Sequence, residues 1–592
     1  MKKLLALLLA ATMLLGLAAC GSPSGAESEP ATSAPVSESP TDNSPSLPAP
    51  ASDEPVYGGN ATVLYGDDLI QYFDPAMGDN RTYSIWMENL FAYDWGANKP
   101  ENAISMYTNY TYYDGQIAES YEADYDAGTV TVKIRDDVCF QDKSVAGMGD
   151  YDIFHARKVT ASDVAYSYQR LLGIDGVTAT SNTEMPWQML LPAIESIEVV
   201  DDLTCVFHIP ALTEVQLDAL ITAPVNITGP EWDELTAEQQ NDWHYAVGTG
   251  PYILTDFQLN ASMSFVKSEN YYDYDERNPE NKLPYLDTVK FVEISDSSNI
   301  LTQFISGQLD IISFGNDLMN VSEMQQLRDT LGEGNYTEFR YESTPSTIIS
   351  HYNLENNPMS DRNVRIAMQH AIDVETITKA INAVEEVELR GMWASTVGWD
   401  SGTLAAKADE FTYDPDLARQ MLADAGYADG FEITYYTRNT GVQAAQMVAQ
   451  YLNQVGIKLN IEVVADTSER SAHIRNSEEL CAWGGNSGEF ALKFASMTFF
   501  PDGPDYGMFL DNPEWDELCA KIKAATSLEE QAEIAGKLDE IWVTEHYGVF
   551  SIGCGETHNF YSSKMGGVTG EQFCCNNNTR VMIARLWSTT GE

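Results

Sequence analysis

Positive charge is scarce in this sequence. The chain has 592 residues, of which 33 are Lys or Arg and 89 are Asp or Glu, so the formal net charge is −56. A surface this acidic cannot neutralise phosphate groups by releasing their counterions. It also opposes electrostatic attachment to anionic lipid. The composition therefore argues against a nucleic-acid-binding protein, and it favours partners that are cationic or zwitterionic.

Long apolar runs are equally scarce. Residues 4–19 form an uncharged run after Lys2 and Lys3, and Cys20 follows it. Sixteen residues are too few for an ordinary membrane-spanning helix, which needs about 20, but they suit the hydrophobic region of a secretory signal. The small residues before Cys20 resemble the lipobox of a bacterial lipoprotein, which implies cleavage before Cys20 and acylation of that residue. An ordinary signal peptide with an incidental cysteine is the alternative.

The next segment, residues 20–55, has almost no large apolar side chains. It is rich in Ser, Pro, Ala and acidic residues, with Val36 and Leu47 as its only large aliphatic residues. Such a segment buries too little surface to offset the entropy of ordering. We therefore predict a disordered tether. Loss of residues 1–19 would leave 31 basic and 89 acidic residues, a formal charge of −58.

Motifs of catalysis and metal binding are missing. The sequence has no phosphate-binding GxxxxGK[ST] loop, no HExxH helix, no GxSxG elbow and no CxxC pair, and its eight histidines are dispersed. We predict no catalytic residue, no metal site and no cofactor. The acidic run at Asp273, Asp275 and Glu276 could suggest calcium, but its spacing is not that of an EF-hand, so a solvated loop is the preferred interpretation. The pairing of the seven mature cysteines stays open; scattered buried thiols are the preferred interpretation, and a redox or metal-touching pair at Cys574 and Cys575 is the alternative.

The patterns that are present indicate alternating strands and helices. Thr160 to Asp163 has the capping-box spacing, Asp361 precedes a 3.6-residue apolar period, and Asp414 precedes a further helix that ends at Gly426. Alternating strands are predicted at residues 431–435 and 457–463, with a helix between them. A strand–helix–strand succession requires a crossover, so these patterns predict an α/β fold with parallel strands.

Eight segments in order resemble family 5 of the bacterial extracellular solute-binding proteins, the oligopeptide-, dipeptide- and nickel-binding lipoproteins of ABC transporters. They cover about residues 57–560 and include VTVKIRDDVCF with VTASDVAYSYQRLL, VGTGPYIL, FISGQLDII, NNPMSDRNVRIAMQHAID, YDPDLARQMLADAGY and VGIKLNIEVV. The resemblance implies a two-lobed α/β fold of the type II (cluster C-like) periplasmic-binding-protein kind, with an extra domain inserted in the first lobe. The implied order is signal peptide 1–19, tether 20–55, lobe I 56–95, inserted domain 96–247, lobe I 248–315, lobe II 316–545 and lobe I 546–592.

The same resemblance implies a function. It is that of a monomeric, lipid-anchored receptor outside the cytoplasm, which captures an oligopeptide or related polar solute between its lobes and delivers it to an ABC permease in the membrane. Closure would be a hinge motion biased by the ligand. A signalling-peptide receptor or an extracytoplasmic chaperone on the same fold is the alternative, and a surface hydrolase is a third class that no motif supports.

The best candidate ligand contact is Trp483, for which a core tryptophan is the alternative. Peptide binders of the family resemble one another in a Trp followed three residues later by an Asp that pairs with the peptide ammonium group. Here that position holds Asn486, and an amide accepts a hydrogen bond from an ammonium but does not neutralise it. Either Glu489 supplies the carboxylate, or the ligand is not an ordinary free peptide.

Four further residues are candidate contacts. Tyr352 and Asn353 precede the helix that starts after Asp361, where the family places an extended strand beside the cleft. Arg390 and Trp393 lie in the loop after that helix, where the resemblance implies a carboxylate partner and an aromatic wall. For all four, packing within the fold is the competing interpretation.

Overall fold

The computed structural model describes most of the chain from Glu54 onward, within one compact unit, Pro48–Glu592. The described residues are 54–64, 73–76, 84–93, 110–177, 191–312, 319, 321–342, 346–349, 357–382, 387, 389, 391–393, 399–438, 441–464, 469, 472–473, 480–484, 492, 499–501, 503, 510–552, 556–568 and 582–590. The predicted signal peptide, Cys20 and nearly all of the predicted tether lie outside them.

The strands are numbered here in chain order. They are β1 Asn60–Leu64, β2 Phe91–Tyr93, β3 Tyr113–Gly115, β4 Ala118–Asp124, β5 Thr129–Ile134, β6 Ser196–Asp201, β7 Thr204–His208, β8 Tyr252–Gln258, β9 Ser262–Lys267, β10 Tyr274–Asp275, β11 Asn278–Lys282, β12 Thr288–Val292, β13 Ile311–Ile312, β14 Tyr336–Glu342, β15 Ser346–Ile349, β16 Phe431–Arg438, β17 Ile457–Val464, β18 Leu480–Gly484, β19 Val549–Ile552, β20 Glu556–Ser562, β21 Met565–Gly566 and β22 Trp587–Ser588.

The α-helices are numbered in the same way. They are α1 Ala161–Leu172, α2 Glu214–Thr222, α3 Ala237–Gln240, α4 Ser297–Ile305, α5 Val321–Leu331, α6 Arg362–Ala371, α7 Val374–Asn382, α8 Thr403–Ala406, α9 Pro415–Asp424, α10 Val442–Gln454, α11 Pro513–Lys523 and α12 Leu528–Glu545.

The predicted helix starts are confirmed where the sequence carries a cap. The Thr160 amide donates to Asp163 Oδ2 at 2.8 Å at the start of α1. The Asp361 carboxylate accepts from the Asn363 amide at 2.8 Å, and Asp414 accepts from the Leu417 amide at 2.9 Å. Each carboxylate satisfies an amide that has no partner within its own helix, which is why these helices begin at the predicted residues.

The first large sheet has seven strands in the order β14-β20-β13-β1-β12-β9-β8. Its centre is parallel, because β1 pairs in parallel with both β12 and β13. Adjacent residues of one strand enter different cores: Val63 and Ile311 belong to one apolar cluster, and Leu64 and Ile312 to another. Both faces of the sheet are therefore covered, as a parallel sheet requires.

The second large sheet has five strands in the order β17-β16-β18-β15-β19. The predicted strands at 431–435 and 457–463 pair in parallel over eight residues, with Phe431 opposite Ile457, which confirms the predicted crossover through α10. Its residues share one apolar cluster with α6, α9, α11 and α12, and that cluster includes Trp515 and Trp542. This sheet and its helices form the second lobe.

Two short connections lead from one large sheet to the other. Strand β14 of the first sheet is followed after three residues by β15 of the second. On the return, β19 of the second sheet is followed after three residues by β20 of the first. The connections leave from and arrive at paired strands, because β14 pairs with β20 and β15 pairs with β19, both antiparallel.

A separate antiparallel sheet, β4-β5-β7-β6, forms the core of the inserted domain together with α1 and α2. The Gln141 side chain fixes this domain to the first sheet, since its Nε2 donates to the carbonyl oxygens of Gly250 at 2.9 Å and Tyr252 at 2.7 Å. Buried Arg170 of α1 adds a bidentate pair with Asp74, with N–O distances of 2.6 and 2.8 Å. The inserted domain is thus attached firmly to the first lobe.

Sheet membership differs from the predicted ranges at two strands. Tyr336–Glu342 falls in the range 316–545 predicted for the second lobe, but it pairs in the first sheet. Val549–Ile552 falls in the range 546–592 predicted for the first lobe, but it pairs in the second sheet. The pairing of strands that lie about 200 residues apart decides both cases. The domain limits as a whole remain predictions.

No helix in the described part of the chain is long and apolar enough to span a membrane. Three cysteines in the described residues, Cys139, Cys205 and Cys519, carry free thiols, and the last two are buried. This agrees with the interpretation of scattered thiols for these three positions.

Candidate functional site

The carboxyl ends of the parallel strands in both large sheets point to the gap between them. In the first sheet, β13 and β14 are both antiparallel to β20, so they run in one direction, towards the connection that follows Glu342. Strands β1 and β12 run the same way as β13. In the second sheet, Ser346 just after that connection pairs with Gly484, the last residue of β18. Strands β16 and β17 run with β18.

This convergence defines the candidate site. In open α/β sheets, ligands bind in the crevice outside the carboxyl ends of the strands. Here two such edges face each other across the connections between the lobes, so one cleft receives loops from both sheets. The loops that follow Leu64, Ile312, Arg438 and Gly484 all begin at this edge.

A groove with a volume of about 730 Å³ lies between the lobes at this edge. Helix α5 after β13 lines one side with Ser322, Gln325 and Gln326, and Gln443 at the start of α10 lines the other. Gln325 Nε2 donates to Asp329 Oδ1 at 2.8 Å. The volume is within the usual range for ligand pockets. Asp329 and Thr330 of α5 and Ala380 of α7 complete the lining, so the groove offers amides, hydroxyls and one carboxylate to a polar ligand.

Trp483 lies in β18, the central strand of the second sheet, with its backbone opposite Thr347 of β15. It is one residue from Gly484, where the strand reaches the cleft edge, so the strand positions this residue close to the cleft. Asn486 and Glu489 follow β18 and lie outside the described residues, as do Tyr352, Asn353 and Arg390. Their predicted contacts with ligand stay predictions.

Trp393 is packed inside the second lobe. Its side chain is only 1% exposed, its indole N–H donates to the Ala535 carbonyl at 3.0 Å, and its ring meets Trp399 edge-to-face at 5.0 Å. A buried tryptophan whose one polar atom is bonded has the environment of a core residue. The competing interpretation in the sequence analysis, packing within the fold, accounts for these contacts.

A buried carboxylate, Asp539 of α12, holds the segment around Trp393. It accepts hydrogen bonds from the Met392 amide at 2.7 Å, the Ser401 amide at 3.0 Å and the Ser401 hydroxyl at 2.6 Å. Burial raises the pKa of Asp539, and its bonded donors oppose that rise. A Cβ on Gly391 would overlap Asp539 Oδ1, so only glycine fits beside the carboxylate. The sequence gives no sign of this contact, because one acid among 89 carries no signal.

The acidic run at residues 273–276 is an arginine-paired clamp. Asp275 is fully buried and pairs with Arg277 at 2.9 Å, and Tyr285 donates to its other oxygen at 2.8 Å. Glu276 accepts from Arg585 at 2.8 Å, which fixes the segment before β22. Asp275 departs from the expected solvated loop, whereas the side chains of Asp273 and Glu276 are 33% and 44% exposed. Within the described residues no group of His, Cys, Asp and Glu side chains is arranged to hold a metal ion.

Two α/β lobes that face each other across a cleft, with a third domain attached to the first lobe, define a type II periplasmic-binding-protein fold. The sequence profile of bacterial extracellular solute-binding proteins, family 5 (Middle), matches residues 113–509. The chain belongs to this family, which confirms the resemblance read from its motifs. The family binds and transports solutes rather than converting them, and its members act outside the cytoplasm.

The chain is similar to several characterised proteins. It is 23% identical over 439 residues to heme-binding protein A of Haemophilus influenzae, which covers 71% of this chain and 75% of that protein. It is 24% identical over 448 residues to the glutathione-binding protein GsiB of Pectobacterium atrosepticum, covering 72% and 77%. The structure of DppA from Helicobacter pylori with the peptide STSA superposes with a TM-score of 0.70 at 19% identity, covering 90% of this chain and 99% of that one.

Proposed function

We propose that the chain is the lipid-anchored binding component of an ABC importer, which captures an oligopeptide or related polar solute in the cleft and delivers it to a membrane permease. The observation that carries the proposal is the convergence of both sets of strand ends on one cleft. A ligand enclosed there contacts both lobes at once, so its binding favours the closed arrangement.

The polar lining of the groove supports a solute held mainly by hydrogen bonds. Relatives are named for heme and glutathione, and a structural neighbour holds a tetrapeptide, so the family scaffold accepts different chemical classes. Asn486 in place of an acid favours a solute without a free ammonium group, or one whose ammonium group is neutralised by Glu489. We propose Trp483, Asn486, Glu489, Tyr352, Asn353 and Arg390 as the candidate contacts, and not Trp393, whose side chain is buried in the second lobe.

A thermal-shift and calorimetric screen tests the binding function. The mature chain, purified without ligand, is exposed to peptide mixtures, glutathione, heme, sugars and divalent metals. A ligand that binds only the folded chain raises its melting temperature by mass action. We expect peptides or glutathione-like solutes to do so, and an absence of stabilisation by every class would contradict the proposal.

Two substitutions, at positions 486 and 489, test the recognition of charge. Asn486→Asp restores the carboxylate that peptide binders of the family carry, and it should strengthen binding of a free-amino peptide relative to its N-acetylated form. Glu489→Gln should weaken binding of the free-amino peptide if Glu489 supplies the charge. Arg419→Gln, on the exposed face of α9, is the matched control and should alter neither affinity. Equal affinities for both peptide forms in every variant would exclude ammonium recognition at this position.

The lipid anchor is tested at Cys20. Cys20→Ser removes the thiol that would be acylated, so the protein should move from the membrane fraction to the soluble exported fraction and lose incorporation of labelled fatty acid. Stable attachment requires more than one acyl chain. Membrane retention of the serine variant would contradict an anchor at Cys20.

Deletion of a neighbouring permease separates import from a receptor or chaperone role, because import alone requires the permease.

A further inference from the structure

Glu214 lies where the inserted domain meets the second lobe. It is the first residue of α2, and its backbone N–H donates to the Thr526 carbonyl at 3.2 Å. Its side chain accepts a second hydrogen bond, which the Leu528 amide donates to Glu214 Oε2 at 3.1 Å. The next residue, Val215, packs against the apolar cluster of the second lobe. These three contacts join segments that are more than 300 residues apart in sequence.

The donor side of the bond to the Glu214 carboxylate is the start of α12. Leu528 is the first residue of that helix, and amides in a first helical turn have no partner within the helix. The Ser527 hydroxyl caps the Glu530 amide instead, at 3.2 Å. Glu214 therefore supplies the oxygen that the Leu528 amide needs, and its negative charge lies at the positive end of the helix dipole.

Glu214 is also held from its own side. The Tyr110 hydroxyl donates to Glu214 Oε1 at 3.4 Å, and the Tyr110 amide donates to Asp218 Oδ1 at 2.7 Å one helical turn further along α2. Thr213 caps α2 by accepting from the Gln216 amide at 3.3 Å. The carboxylate is thus positioned by the inserted domain before it reaches the second lobe.

The inserted domain moves with the first lobe, because Gln141 and Arg170 fix it there. The second lobe is joined to the first sheet by the connections after β14 and after β19. The bonds from Glu214 to Thr526 and Leu528 therefore join a domain fixed to the first lobe with a helix of the second lobe, and any motion that separates α2 from α12 must break them. The distance between Glu214 and Leu528 reports whether these two helices are together or apart.

We propose that the pair of hydrogen bonds between Glu214 and residues Thr526 and Leu528 is a latch that stabilises the closed arrangement of the lobes when no ligand is present. The inference rests on the hinge closure in the proposed function. It assigns the inserted domain a role in setting how often the empty cleft opens, and hence how readily solute enters and leaves.

Hydrogen exchange and small-angle X-ray scattering test the latch on the ligand-free mature chain. Glu214→Ala removes the acceptor, and a net hydrogen bond corresponds to roughly a tenfold change in an equilibrium constant. We expect about tenfold faster exchange at the Leu528 and Glu214 amides, together with a larger radius of gyration. Glu214→Gln keeps an acceptor oxygen without the charge and should give a smaller change in both. Glu122→Gln, on exposed β4, is the charge-matched control and should change neither.

A rise in exchange at Leu528 with unchanged scattering would overturn the latch, because it would mean that only the end of α12 frays. Unchanged exchange at both amides would also overturn it. Exchange at the amides of β5 checks that the inserted domain stays folded in each variant. These measurements need no ligand, so they are independent of the binding screen. The latch can be overturned while a solute is shown to bind, and it can be supported while no solute is found, so the two proposals fail separately.

Discussion

The two lobes are assembled from the chain in different ways. Strands of the first sheet come from segments as far apart as Asn60–Leu64 and Glu556–Ser562, and the inserted domain is held to this lobe by Arg170 and Asp74, whose paired side chains are 1% and 7% exposed. The second lobe comes mostly from one stretch of chain around a large apolar cluster, and its ion pairs lie nearer the surface, as in Arg362 and Glu410, whose side chains are 34% and 33% exposed. The difference indicates that the discontinuous lobe depends on a deeply buried ion pair, whereas the continuous lobe depends mainly on apolar packing.

The largest expected effect on stability tests the buried ion pair on the first-lobe side of this comparison. Arg170→Met leaves the Asp74 carboxylate buried without its bidentate partner, and removal of one member of a buried pair costs about 3–5 kcal/mol. We expect a loss of this size in the urea unfolding free energy of the transition that includes the inserted domain. Arg419→Met, in an exposed pair on α9, is the control and should leave the midpoint unchanged. Similar losses in both variants would contradict the role given to buried charge.

The next effect tests packing in the second lobe. Gly391→Ala places a methyl group against Asp539 Oδ1, which is fixed by three hydrogen bonds, and overpacking of this kind costs about 1–3 kcal/mol. Gly536→Ala on α12 is the matched control, since its added Cβ is 3.8 Å from the Trp399 carbonyl and alanine favours the helix. Denaturant midpoints should fall for Gly391→Ala and hold or rise for Gly536→Ala. A lower midpoint for Gly536→Ala than for Gly391→Ala would mean that the close contact with Asp539 is not what requires glycine at position 391.

A third effect concerns Asp218, a half-buried acid in the inserted domain. Burial raises the pKa of Asp218 from 3.8 to about 7, so the folded chain holds its proton while the unfolded chain loses it between pH 4 and 7. Stability from this group is complete below pH 4 and is lost as the pH rises through 7. With allowance for partial solvent contact, Asp218→Asn should gain roughly 2 kcal/mol at pH 8 and nothing at pH 4. Asn keeps the acceptor for the Tyr110 amide.

Unfolding midpoints of Asp218→Asn and the parent chain, measured at both pH values, check this expectation. Glu122→Gln on β4 serves as the control for loss of one charge from the same domain. An equal gain at pH 4 and pH 8 would show that the effect does not come from titration of this carboxyl group.

The smallest effect lies on the surface of the second sheet. Glu432 and Lys458 face each other across β16 and β17 at 2.8 Å, but both side chains are about 60% exposed. Exposed ion pairs contribute little and are screened by salt. Glu432→Gln should leave the unfolding midpoint unchanged at physiological salt. A clear loss would mean that the second lobe also depends on charge.

Local features of this fold could be predicted from the sequence, and long-range ones could not. The caps at Thr160, Asp361 and Asp414 depend on residues within one helical turn, so they are visible in the sequence. The strand pair β16 and β17 followed from alternation and from the helix between them. Which sheet β14 and β19 belong to depends on partner strands about 200 residues away, and no local pattern specifies these partners.

The residues of the candidate site show the same difference between local and long-range signals. Trp483 was predicted as a contact from a motif; β18 places its backbone near the cleft edge, and its contact with ligand stays a prediction. Asp539 was not predicted, because two of its three hydrogen bonds come from backbone amides at residues 392 and 401, which almost any residue type supplies. The loop at 273–276 was judged from its composition, but Glu276 pairs with Arg585, 309 residues away.

The position of β20 has a consequence for how the chain completes its fold after export. This strand lies between β14 and β13, and β19 just before it forms an edge of the other large sheet. A chain that stops before Val549 would lack a strand in both sheets, and β14 would have no neighbour to join it to the rest of the first sheet. Neither lobe can reach its final form ahead of the other, because both wait for the same stretch near the carboxyl terminus.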